Sequence, residues 1–225
     1  LQWLKGRGIL ALTSFGTITE ALARHFPTRT VERKNFRFDA RTGNIIWTDT
    51  RDEEPYRLKL EGLVDAPVEL SYADLLNMES ADQTSDFHCV ESWSVRAVRW
   101  SGIRFSEILK RVKPSPDAEY VTFHSLGETH HKPRGQDHYL ESFKLASLID
   151  PEQDILLVLK MDDKPLSIER GAPMRVIAPY RLAYKSIKFV HRIEFSKKKQ
   201  YGWWTLANPV YSWEALVSKS RLRKK

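Results

Sequence analysis

Cysteine is nearly absent: the 225 residues hold one, Cys89. One cysteine excludes an internal disulfide, a zinc-finger site, a cysteine-held iron–sulfur cluster and a Cys-x-x-Cys-His haem attachment. Any haem or cluster that serves this chain belongs to another chain. No glycine-rich phosphate loop, internal repeat or Gly/Ser linker is present, so nothing divides the chain after its first segment. The apolar run Ile9–Phe15 is too short to span a bilayer. What is present describes a globular protein with ample chain for a core: 41% apolar residues, with charge spread throughout. The 36 basic residues exceed the 29 acidic by 7, much of the excess lying late, at Lys197-Lys198-Lys199 and in Arg221, Arg223, Lys224 and Lys225. Such clusters are solvated surface first and a face for an acidic partner or membrane headgroups second, with no nucleic acid expected.

The lone thiol sits in Ser85-Asp86-Phe87-His88-Cys89-Val90-Glu91-Ser92-Trp93-Ser94, where a β-like run (Thr84 to Val90) gives way to a polar, aromatic turn. A strand end holds one side chain still at a cleft. The residues leave three roles open for Cys89: inert packing, a nucleophile, or a metal ligand.

In chain order, Lys5 and Arg7 precede the Ile9–Phe15 run. Residues 1–26 therefore read as an export signal or N-terminal anchor, with an amphipathic helix as the alternative, and residues 27–225 as one domain. Thr42-Gly43-Asn44 signals a turn, and Tyr56–Gly62 alternates with period two as a half-buried strand does. Ser71 with Asp74 marks a helix start. Phe105, Ile108, Leu109 and Val112 are spaced as a helix ending at Pro114. Tyr120–Ser125 and Leu156–Leu159 are strands, and Asp162–Pro165 is a turn. The loop Gly127–His138 carries His130, His131 and His138 without metal-site spacing and reads as a cleft rim.

Phe-His-Cys-Val-Glu-Ser-Trp-Ser, followed by Val98-Arg99-Trp100-Ser101-Gly102, resembles the molybdopterin-binding domain of the sulfite oxidase family, and within it the bacterial branch of periplasmic protein-methionine-sulfoxide-reducing subunits. Gly171-Ala172-Pro173-Met174-Arg175, Lys185-Ser186-Ile187-Lys188 and Trp203–Pro209 extend the likeness over roughly residues 30 to 215. The resemblance implies that Cys89 ligates molybdenum, a soft thiolate suiting a redox-active metal. It assigns Asn35, Arg37, His88, Ser125, Arg170, Arg175, Lys185, Ser186, Ile187 and Lys188 to the molybdenum–molybdopterin cofactor. Arg37 departs from the aromatic residue usual at its place. Arg175, Lys185 and Lys188 would neutralise the cofactor phosphate. Glu91, Tyr211 and the tryptophans would shape the substrate side. The family is typically exported through a twin-arginine signal, and residues 1–26 lack an Arg-Arg pair.

The expected fold is α+β, a mixed, mostly antiparallel sheet core with short helices. The expected function is molybdenum-dependent oxygen-atom transfer in the periplasm, with electrons from a separate partner such as a membrane haem protein. Glu91 stands where sulfite-oxidising members carry arginines, which favours reduction of S-oxides such as methionine sulfoxide over oxidation of sulfite. Two other readings are a cofactor-free binding module on the same fold, and a thiol enzyme using Cys89 with His88 or His124 as base.

Overall fold

The structure, a computed structural model, describes residues 35–222, so the expected export signal or anchor lies outside the described residues. Three sheets carry the chain. The first is a small antiparallel meander of β1 (Phe36–Asp39), β2 (Asn44–Trp47) and β3 (Glu53–Pro55). The turn expected at Thr42-Gly43 joins its first two strands, Gly43 supplying a φ of 74°.

The second sheet is built from β4 (Arg57–Gly62), β5 (Val68–Ser71), β8 (Tyr120–Ser125), β9 (Leu140–Lys144) and β13 (Val190–Ser196), in the order β5-β4-β13-β8-β9. Only β4 and β13 pair in parallel. The expected alternation holds along β4, where Leu58 and Leu60 are buried while Arg57 and Lys59 face outward. The third sheet joins β6 (Ala81–His88), β7 (Ser94–Arg104), β10 (Leu156–Met161), β11 (Lys164–Pro165) and β12 (Arg175–Ile177). Both faces of β10 are covered. Leu157 and Leu159 join the main core with Phe123, Ile193 and Phe195, whereas Leu156 and Val158 join a second core with Val98, Trp100 and Ile177. Burial on both faces explains why β10 reads as an unbroken apolar run.

Among the described residues the four α-helices are short: α1 (Tyr72–Leu76), α2 (Phe105–Leu109), α3 (Leu145–Ile149) and α4 (Trp203–Ala207). The Ser71 Oγ accepts from the Asp74 N–H at 3.1 Å and the Asp74 carboxylate accepts from the Ser71 N–H at 2.8 Å, completing the capping box expected before α1. Helix α2 ends earlier than its spacing to Val112 suggested. Its last turn tightens, the Arg111 N–H donating to the Ile108 carbonyl at 2.9 Å, and Val112 is still buried. Asp162 and Asp163 alone form the turn after β10, both with positive φ, and Lys164-Pro165 already returns as a strand. The α+β architecture of mostly antiparallel sheets is the one expected. No helix among the described residues is long and apolar enough to cross a membrane.

Candidate active site

Strands β6 and β7 form a hairpin closed by the pair His88–Ser94, so Cys89–Trp93 is its loop and Cys89 the first residue beyond the strand. The Cys89 N–H donates to the Trp93 carbonyl at 2.9 Å, and Ser92 takes a φ of 70° to turn the chain. His88 is buried with Nδ1 2.7 Å from the Ser94 Oγ. Arg221, from the far end of the chain, donates to the Trp93 carbonyl at 2.7 Å and to the Ser94 Oγ at 3.1 Å. The loop that presents the thiol is thereby tied at its neck from two directions. Burial pushes the Cys89 thiol above its usual range, and Glu91 adds to this against the opposing pull of nearby backbone N–H groups and Arg221.

The thiol opens into a cavity of about 320 Å³, a volume suited to a small molecule. Glu91, Trp93 and Tyr211 share its wall with Cys89, and the Trp93 indole N–H donates to the Glu91 carboxylate at 3.2 Å. Arg175, Ser186, Ile187 and Lys188 form another part of that wall. Arg175 is 2% exposed, and its guanidinium donates to the carbonyls of Arg170 at 3.0 Å and Ser186 at 2.9 Å, between the rings of Phe87 and Trp100. No carboxylate among the described residues forms a salt bridge with it. Burial, reinforced by Arg170, lowers its pKa to about 9. Burial, then Arg175 and Arg170, bring Lys188 down to about 7. Gly171, at φ 107°, lets the two cations converge: a Cβ there would stand 2.8 Å from the Lys188 Cγ and 3.2 Å from the Arg175 Cβ.

The remaining expected residues stand elsewhere. Lys185 lies outside this wall. Its ammonium is buried 3.1 Å from the Glu141 carboxylate and donates to the Ser142 carbonyl at 2.5 Å. Arg170 meets the cation cluster through its carbonyl and its charge. Asn35 caps the start of β1, its carbonyl receiving the Thr48 N–H at 2.9 Å, and Arg37 is exposed on that strand. Ser125 faces a second cavity of about 580 Å³ with His138, His191 and Arg192, and its buried Oγ has no hydrogen-bond partner. The two cavities share a wall, for the Ser125 N–H donates to the Tyr139 carbonyl and the Leu126 N–H to the Phe189 carbonyl. His124 belongs to a separate chain of contacts, Asp137–His138–His124–Glu194. Of the loop histidines, His138 lines the second cavity, and no group of metal-ligating side chains forms among the described residues.

Trp204, one of the tryptophans expected on the substrate side, lines the Cys89 cavity, as do Tyr139, Glu141 and Tyr184, which the sequence did not single out. Tyr139 and Glu141 straddle Leu140 at the start of β9, where period two turns alternate side chains to one face.

A family model described as the oxidoreductase molybdopterin-binding domain matches residues 45–204. The chain belongs to that family. Among curated members it is similar to the protein-methionine-sulfoxide reductase catalytic subunit MsrP of Ralstonia nicotianae, 30% identical over 72% of this chain and 50% of the relative. The MsrP of Campylobacter jejuni is 29% identical over 66% of this chain and 52% of its own. That of Xanthomonas campestris is 30% identical over 69% and 52%. The chain thus spans about half the length of these relatives. The sulfane dehydrogenase SoxCD of Paracoccus pantotrophus shares the fold, with a TM-score of 0.55 at 19% identity over 64% of this chain and 38% of that one.

Proposed function

We propose that this chain is a periplasmic molybdenum–molybdopterin oxidoreductase that reduces S-oxides, methionine sulfoxide foremost. The observation that carries the proposal is the pairing, in one cavity, of a held thiol with the buried Arg175 guanidinium and the half-buried Lys188 ammonium, neither of them in a salt bridge among the described residues. The residues fit the cofactor: Cys89 is a soft donor for the metal, and Arg175 and Lys188 suit a phosphate dianion. When bound, the cofactor supplies the two-electron oxygen-atom-transfer chemistry. The chain's own residues hold and orient it. Ser186 and Ile187 line the same wall, and Ser125 offers an unpaired hydroxyl on the far side of the Tyr139–Phe189 partition.

The choice of substrate rests on charge. Among the described residues Arg175 is the only arginine of the cavity wall, and Glu91 stands two residues from the thiol. Arg181 is held by Glu214 at 3.3 Å, and neither it nor Arg134 reaches the wall. A carboxylate beside the reacting centre repels the sulfite dianion and leaves a neutral sulfoxide unaffected. Electrons come from a separate partner, a membrane haem protein, since one cysteine provides no cluster.

A thiol enzyme is poorly served here. Burial raises the Cys89 thiol instead of lowering it, and both His88 and His124 are engaged elsewhere. A metal displaces the thiol proton outright. The test is elemental analysis of purified protein for molybdenum with pterin release, followed by steady-state assays on methionine sulfoxide and on sulfite. Bound molybdenum with sulfoxide turnover is expected. Metal-free protein, or sulfite oxidation without sulfoxide turnover, overturns the proposal.

A further inference from the structure

Glu141 is 2% exposed and contributes to the wall of the Cys89 cavity. A carboxyl in that position needs a reason, because burying one unassisted is costly. Its Oε2 lies 3.1 Å from the Lys185 Nζ as an ion pair, and neither of its oxygens has a hydrogen-bond partner among the described residues. Lys185 is itself fixed, donating to the Ser142 carbonyl and lying 4.5 and 4.8 Å from the ring centroids of Phe143 and Trp213. Gly202 packs directly against the carboxyl: a Cβ there would come within 2.2 Å of the Glu141 Oε1 and 2.3 Å of its Oε2. The carboxyl is therefore held in one place, facing a cation but with hydrogen-bonding capacity unused on both oxygens.

We propose that Glu141 is a proton donor for the reduction, with Lys185 as the positioning residue that holds and tunes it. This rests on the proposed sulfoxide chemistry. There the S–O bond breaks, sulfur gains two electrons from the external haem donor, and the oxygen leaves as water after taking up two protons. Glu141 gives one of these and is reprotonated from solvent between turnovers.

The electrostatics agree with the geometry. Burial raises the Glu141 carboxyl to about 7, against the opposing pull of Lys185, so it carries its proton near neutrality and can part with it. The charged and titratable groups around the pair are few. Tyr184 adjoins Glu141 and is itself raised by burial, while Arg181 and Glu214 act on Lys185 with opposite signs. Glu91, Arg175 and Lys188 complete the charged part of the cavity wall.

The test uses the cofactor-loaded enzyme and its Glu141→Gln, Glu141→Asp and Lys185→Met variants. Wild-type kcat for the sulfoxide should fall as pH rises above about 7, where the donor is ionised. Glu141→Gln should lose about a hundredfold or more in kcat and lose that falling limb, while Glu141→Asp keeps the limb. Lys185→Met removes the cation that favours ionisation, so the limb should move to higher pH. Infrared difference spectra supply a reading independent of turnover: a protonated-carboxyl band titrating near neutrality, absent from Glu141→Gln. An unchanged pH profile in Glu141→Gln, or no such band in the wild type, overturns the donor, as a merely structural ion pair would. Protein that holds molybdenum but turns over no sulfoxide overturns the proposed function itself, and the delivery with it.

Discussion

Lys185 and Lys188 stand three residues apart in one Lys-x-Ile-Lys run, yet the fold treats them oppositely. Lys185 is buried with its counter-charge, Glu141, built into β9. Lys188 stands with Arg175 and Arg170, and burial and like charge bring its pKa to about 7. The first is a finished interaction. Among the described residues only the Glu169 charge opposes the like charges on the second, and a ligand phosphate would complete it. Two lysines of one motif can thus have unlike meanings, and their neighbours decide which.

The largest expected effect sets the scale for both. Cys89→Ser exchanges a soft thiolate for a poor donor, so sulfoxide turnover should vanish while circular dichroism and melting stay near wild type. Near-normal turnover would remove Cys89 from the metal site. Next comes the finished pair. Lys185→Met leaves the buried Glu141 carboxyl without its cation, a loss of about 3–5 kcal/mol in stability by urea unfolding at a pH well above 7, where that carboxyl is ionised in the wild type. The loss should shrink below pH 7, where Glu141 takes up a proton. A loss equal at all pH values would mean that the two groups do not share their charge.

Arg175→Ala sharpens the other side. It removes charge-assisted hydrogen bonds worth about 1.5–3 kcal/mol, so the variant should purify with substoichiometric molybdenum. Full occupancy would place the phosphate elsewhere. The smallest effect concerns Lys188 in cofactor-free protein. Its folded pKa lies below the ordinary 10.5, so the unfolded chain binds more protons between about 7 and that value. Stability should accordingly rise with pH across this window and be lost as pH falls through about 7. Lys188→Met should flatten the slope, and cofactor loading should do the same to the wild type. An identical slope in the variant would assign the effect to other groups.

The sequence showed local order well. Strand β8 ends where its β-branched and aromatic run ends, the Ser71 cap begins α1, and Cys89 follows a strand. Each of these is set by residues close to one another in the chain. Most of the candidate site was legible by resemblance: Cys89, Glu91, Tyr211, Arg175, Ser186, Ile187 and Lys188 do line one cavity. Glu141 was not legible, because a carboxylate at a strand position reads as solvent-facing until its partner, far along the chain, is known. Arg221 was read as part of a solvated basic tail, yet it holds the neck of the Cys89 loop. Helix α2 fell short of its apolar spacing, since burial of Val112 needs a residue in place and not a continuous helix.

The Arg221 tether has a consequence for biosynthesis. A ribosome working from the N-terminus makes every wall of the Cys89 cavity before it makes Arg221. A nascent chain can close the hairpin between β6 and β7 and still lack the side chain that fixes the Trp93 carbonyl and the Ser94 hydroxyl. The Cys89 loop therefore reaches its final shape only after the rest of the site has been translated.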